Sequence, residues 1–83
     1  MKSPVTEARE QLSLTLRELA LLAGVTEQTI RTNERGMNLR ISDRLLSFFD
    51  SQGFDKERMV EDYSRFRDYM QQQTLEDFKA NRA

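Results

Sequence analysis

Apolar positions along the chain recur at helical spacing in short blocks, each opened by a small polar residue and closed by a glycine or a polar run. Between Thr15 and Gly36 the run TLRELALLAGVTEQTIRTNERG sets Leu16, Leu19, Ala20 and Ala23 at the i, i+3, i+4, i+7 positions of one buried face. Thr15 precedes that face and Glu18 follows it by three residues, the pairing of a capping box, so a helix starts at Leu16. Gly24 stands where a left-handed residue ends it. Val25 and Thr26 repeat the opening, with Thr26 as cap and Val25 placed to staple onto Ile30. A second helix therefore runs from about Glu27 to Arg35, and Gly36 closes it.

The flanks follow the same rules. Ser3 and Pro4 are a cap and a first-turn proline for a helix reaching Gln11 or Leu12, with Val5, Ala8 and Leu12 on one face. Leu14 can staple to Leu19. After a loop MNLRI, Ser42 caps a fourth helix whose Leu45, Leu46, Phe48 and Phe49 supply much of the remaining core, and Gly53 ends it. Asp55 caps a fifth, in which Met59, Tyr63, Phe66 and Met70 form a seam of heptad type. That seam packs either within its own subunit, over the Phe48 and Phe49 helix, or against a second copy as a dimer contact. The pattern lapses at Gln71, Gln72 and Gln73, and Thr74 with Asp77 reads as a fresh cap for a short terminal helix that frays over Asn81 to Ala83. The expectation is an all-α bundle of about five helices, with residues 1–54 as one unit and 55–83 as a C-terminal helical extension.

On the helix from Glu27, the residues Gln28, Arg31, Thr32 and Arg35 share a polar stripe opposite Ile30. A short helix with such a face, held by a preceding helix across a glycine turn, has the geometry that carries side chains into the major groove of DNA. The run LTLRELALLAGVTEQTIRTNERG resembles the helix-turn-helix of the Cro and phage-repressor family, also called XRE-type. The likeness lies in leucine-alanine in the first helix, glycine-valine-threonine at the turn and glutamate-arginine-glycine at the end.

The resemblance covers about residues 5 to 54 and implies a lambda-repressor-like fold that binds double-stranded DNA. It implies base contacts from Gln28, which can pair with adenine, and Arg31, which can grip guanine. Glu27 would accept from cytosine or favour the positive helix end, and Thr32 would meet a thymine methyl or a phosphate. Arg17, Thr29, Arg35, Asn38 and Arg40 fall at phosphate-contact positions, and Arg9 with Glu34 would be a scaffold pair. Proteins of this kind usually bind as two-fold dimers to half-sites roughly one DNA turn apart. The chain departs from the pattern at Leu16, where many members carry a glutamine, at Asn33, where an apolar residue usually turns inward, and at Ile41, which replaces a frequent proline.

Composition narrows the options. Eighty-three residues suit one small domain, and 37% hydrophobic with 33% charged residues is ordinary for a folded helical chain. No apolar run approaches membrane-spanning length and MKSPVTEARE lacks a signal-peptide core, so a cytoplasmic protein with no membrane role is expected. The absence of cysteine and histidine removes disulfides, thiolate sites and the commonest metal ligand. No cofactor or small-molecule ligand is expected. Glu57 and Glu61 lie four apart, but with Lys56, Arg58, Asp62 and Arg65 they read as a solvated face, which argues against an enzyme.

The net charge of −1 lacks the usual basic footprint of a nucleic-acid binder. Any positive patch has to be local, from Arg17, Arg31, Arg35 and Arg40 sharing a surface. The resemblance implies a dimeric, sequence-specific transcriptional regulator of a bacterium or phage. The alternative is a protein-interaction adaptor or antitoxin-like partner protein that keeps the fold with little DNA affinity.

Overall fold

The computed structural model describes the backbone of residues 1–82 and the side chains of residues 1–81; Ala83, part of the expected frayed end, lies outside the described residues. Five helices follow one another: α1 (Pro4–Gln11), α2 (Leu16–Ala23), α3 (Glu27–Glu34), α4 (Asp43–Ser51) and α5 (Lys56–Arg82), with no strand among the described residues. The helix α1 packs on α3 and α5, α2 on α3 and α4, and α4 on α5.

The predicted caps form at most of the helix starts. Ser3 Oγ accepts from the Val5 N–H, Thr26 Oγ1 from Thr29 N–H, and Asp55 Oδ1 from Arg58 N–H. Thr15 and Glu18 close the reciprocal capping box at 3.1 and 2.9 Å. Ser42 is the exception. It precedes α4 but makes no side-chain cap, and its N–H instead donates to Asn33 Oδ1 at 3.0 Å.

Four helices end with one device, in which an N–H bonds the carbonyl five residues back. The bonds are Leu14 to Arg9, Val25 to Ala20, Met37 to Thr32 and Phe54 to Phe49. Each needs a left-handed residue just before the donor. Three of these are glycines, and the fourth is Ser13, with φ 56°. At Gly36 a second demand is added, because a Cβ there would lie 2.9 Å from the Phe66 ring.

A single core joins all five helices. Val5, Leu19, Ile30, Leu45 and Phe49 are fully buried within it, and Phe48 and Phe54 each meet Phe49 edge to face at 5.6 Å. Met59, Tyr63 and Phe66 belong to the same core, with Met70 packed at its margin. The seam on α5 is therefore covered within its own subunit, and residues 56–70 are part of the globule that 1–54 begin.

The expected sixth helix does not form, and α5 continues through the glutamines to Arg82. Glutamine is a good helix former, and neither glycine nor proline interrupts this stretch. Thr74 does not cap; its hydroxyl donates back to the Met70 carbonyl at 3.0 Å, as threonine does inside a helix. Beyond Met70 the helix leaves the core behind, and the molecule measures 47 × 24 × 20 Å.

The expected Arg9–Glu34 pair is bidentate, at 2.8 and 3.1 Å, and Arg9 also donates to the Leu14 carbonyl at 3.0 Å. Both side chains are largely buried, at 19% and 15% exposure. Removing the carboxylate charge leaves the guanidinium half-paired, so Glu34→Gln should cost about 2 kcal/mol in chemical denaturation. The chain reversals predict a graded series in the same assay. Ser13→Gly should stabilise by roughly 1 kcal/mol, because the left-handed backbone no longer opposes a side chain. Gly53→Ala, with open space around it, should cost about 1–2 kcal/mol, and Gly36→Ala clearly more, through the Phe66 clash.

The capping box carries a pH signature. The Thr15 N–H bonded to the Glu18 carboxylate holds its pKa below the ordinary 4.5. A lowered folded value means the contribution is complete above the ordinary range and is lost as pH falls through the lowered one. Thermal midpoints should accordingly show the advantage of the wild type over Glu18→Gln shrinking below pH 4.5.

Candidate nucleic-acid interface

The helix α3 turns Ile30 and Asn33 wholly inward, both at 0% exposure, and leaves Gln28, Arg31 and Arg35 exposed on the opposite side. Eight residues make little more than two turns, so this orientation depends on what grips the helix ends. At its start, the Thr26 cap and the reversal at Gly24 join it to α2. Arg44 of α4 reaches across and donates to the Gly24 carbonyl at 2.9 Å. At its finish, Arg67 of α5 donates through Nε to the Gly36 carbonyl at 3.2 Å.

Asn33 fixes the middle. Its Nδ2 donates to the Arg40 carbonyl at 3.1 Å and to Tyr63 Oη at 3.4 Å, while Oδ1 accepts from Ser42 N–H. Its own carbonyl accepts from Ser3 Oγ at 3.1 Å. Tyr63 Oη in turn donates to the Asn38 carbonyl at 2.7 Å. The amide thus orders the loop from 37 to 42 against α3 and α5, the backbone carbonyl of Asn33 ties α3 to the start of α1, and no buried side-chain polar atom among the described residues lacks a partner.

The candidate contact residues differ in how far they are committed. Arg31 is 47% exposed and reaches Glu27 at a long 3.4 Å, an i,i+4 pair on open surface. Gln28 and Arg17 are exposed, the latter on the first turn of α2. The Thr32 hydroxyl donates to the Thr29 carbonyl and accepts from the Asn38 amide, each at 2.9 Å, so its hydrogen-bonding capacity is largely used. Thr29 is half-buried and shares a hydrogen bond between hydroxyls with Thr26 at 3.0 Å.

Arg35 lines an open cleft with Met37 and with Arg67, Gln71 and Thr74 of α5. Arg40 is exposed on the far side of the loop, beside α5. The structure therefore gathers Gln28, Arg31, Thr32, Arg35 and Asn38 around one helix and its following loop, whereas Arg40 lines a groove beside α5 and Arg17 stands on α2. Sequence reasoning passed over Arg44 and Arg67, which hold the helix ends from 20 and 31 residues away. No local pattern marks an arginine as a clamp on a distant carbonyl.

No group of three or more metal-capable side chains forms among the described residues, and no helix is long and apolar enough to cross a membrane. Glu57 and Glu61 are exposed beside Arg58, Asp62 and Arg65, where Arg58 and Arg65 lie 3.9 and 3.8 Å from Asp62. No protein-family model, curated protein or solved structure matches the chain.

Proposed function

We propose that the protein is a sequence-specific DNA-binding transcriptional regulator, resembling the Cro and phage-repressor family, that sets α3 into the major groove. The observation that carries this reading is the polarity of α3. Ile30 and Asn33 lock one side into the core, and Gln28, Arg31 and Arg35 project together from the other. Gln28 and Arg31 would meet base edges, since an amide matches adenine and a guanidinium matches guanine. An exposed i,i+4 ion pair is worth only about 0.5 kcal/mol, so Arg31 can leave Glu27 for a guanine at little cost, and Glu27 is then free to accept from a cytosine.

Thr32, with its hydroxyl engaged, would offer a methyl group to thymine. Arg17, Thr29, Arg35, Asn38 and Arg40 would position the backbone of the DNA, which sets register without reading sequence. The mechanism is occupancy, on an inverted repeat read by two copies. With a net charge of −1 the non-specific affinity is weak, so binding relies on the local arginines and falls steeply with salt. The adaptor reading draws on the same charge and on Glu27 lying among the contact residues.

Selection of random duplexes with the purified protein at low salt tests the proposal. The expected result is enrichment of an inverted repeat, with Arg31→Ala losing about 1–3 kcal/mol of discrimination at one position of each half-site. Arg35→Ala should weaken all sequences alike and reduce the salt slope by about one. If no sequence is enriched at low salt, the DNA reading fails and the adaptor reading stands.

A further inference from the structure

The cleft at the end of α3 differs in chemistry from its neighbours. It has a volume of about 530 Å³ and lies between Arg35 and Met37 on one side and Arg67, Gln71 and Thr74 of α5 on the other. No carboxylate lines it, whereas Asp43 and Asp68 border the groove beside Arg40, and Glu7 and Asp62 border the one beside Arg65. Two of its polar side chains are already engaged. Arg67 Nε donates to the Gly36 carbonyl at 3.2 Å, and the Thr74 hydroxyl to the Met70 carbonyl at 3.0 Å. The first of these bonds matters here, because a bare carbonyl at a helix end would repel an anion.

Arg35 and Gln71 are exposed, and their side chains make no hydrogen bond or ion pair among the described residues. Both are donors with nothing to donate to, and they face one cleft from opposite walls. The walls keep their spacing. Positions 67, 71 and 74 lie at i, i+4 and i+7 on one face of an unbroken helix, and at the base Gly36 lies so near the Phe66 ring that a Cβ would come to 2.9 Å.

This lining selects its occupant. A cation would meet Arg35 and Arg67, and an apolar ligand would find little beyond Met37 and Met70. An anion that accepts several hydrogen bonds suits it, and a cleft this open to water grips a free ion only weakly. A phosphate on a strand already held by α3 arrives at high local concentration. We infer that the cleft receives a backbone phosphate of the DNA that α3 reads, with Gln71 of α5 donating to it from the side opposite Arg35. The inference rests on the DNA reading and adds α5 to the interface, as a second wall around the strand.

Binding of the full chain to its selected duplex, measured by fluorescence anisotropy over a range of salt, tests it. Gln71→Glu sets a carboxylate beside the phosphate and should weaken binding at least about fivefold. Gln71→Lys should tighten it and steepen the salt slope by about one. Glutamate and lysine are as helix-compatible as glutamine, and unchanged circular dichroism would confirm that the fold is intact. Gln52→Glu makes the same charge change on the turn before α5, about 22 Å away along that helix, and should have little effect at salt that screens beyond about 10 Å. Replacing single phosphates of the duplex by neutral methylphosphonates should abolish the gain from Gln71→Lys at one position of each half-site and preserve it elsewhere. If the wild type selects a duplex but both Gln71 variants bind it as the wild type does, the inference falls while the DNA reading stands. A gain that no single phosphate abolishes, or a Gln52→Glu loss equal to that of Gln71→Glu, also overturns it. A wild type that binds no duplex overturns both.

Discussion

The Asn33 side-chain amide is the interaction on which the rest of the arrangement depends. A fully buried amide carries a heavy desolvation penalty unless its donors and acceptor are all met. Here they are met by groups from three directions: the Arg40 carbonyl, the Ser42 N–H and the Tyr63 hydroxyl. A leucine in that position would add apolar contact but leave two loop backbone groups without partners. The amide trades some hydrophobic burial for a single loop conformation, and that conformation sets where α4 begins. It also makes α5 part of the same network, because Tyr63 both receives from Asn33 and holds the loop at Asn38.

A second layer of order comes from guanidiniums that meet backbone carbonyls at the chain reversals. Arg9 holds Leu14, Arg44 holds Gly24 and Arg67 holds Gly36. Carbonyls at a helix end carry partial negative charge and have no partner inside the helix, so cations suit them. The turn that leads from α2 into α3 and the glycine that follows α3 are thereby tethered to α4 and α5. Three positive charges serve the scaffold in this way, which narrows the set left to face phosphate to the exposed arginines around α3.

Local rules were legible in the sequence because they act through neighbours in the chain. Thr15 with Glu18, Thr26, Asp55 and the glycines at 24 and 36 announced where helices start and stop, and the stripe opposite Ile30 announced which side of α3 faces out. Where the reading fell short, the deciding partner lay elsewhere. Ser13 carries no mark of a left-handed residue, and takes that conformation because the bond from Leu14 to Arg9 requires it. Thr74 has the identity of a cap, but helical backbone on both sides turns its hydroxyl to Met70. Asn33 looked like a misplaced polar residue because its partners are backbone groups that only the folded loop presents. In the candidate site, exposure was readable, but the mutual engagement of Thr32 and Asn38 across six residues was not.

The unbroken α5 also governs how the molecule moves through solvent. Its 27 residues span about 40 Å, nearly the full 47 Å length of a particle only 24 by 20 Å across. A rod attached to a small globule experiences more friction than a sphere of the same 9.8 kDa mass. It therefore diffuses slowly for its weight and tumbles anisotropically, with reorientation of the long axis slower than spin about it. A lone chain consequently elutes from a sizing column ahead of compact proteins of equal mass, and an early peak is a property of its shape before it is evidence of a second copy.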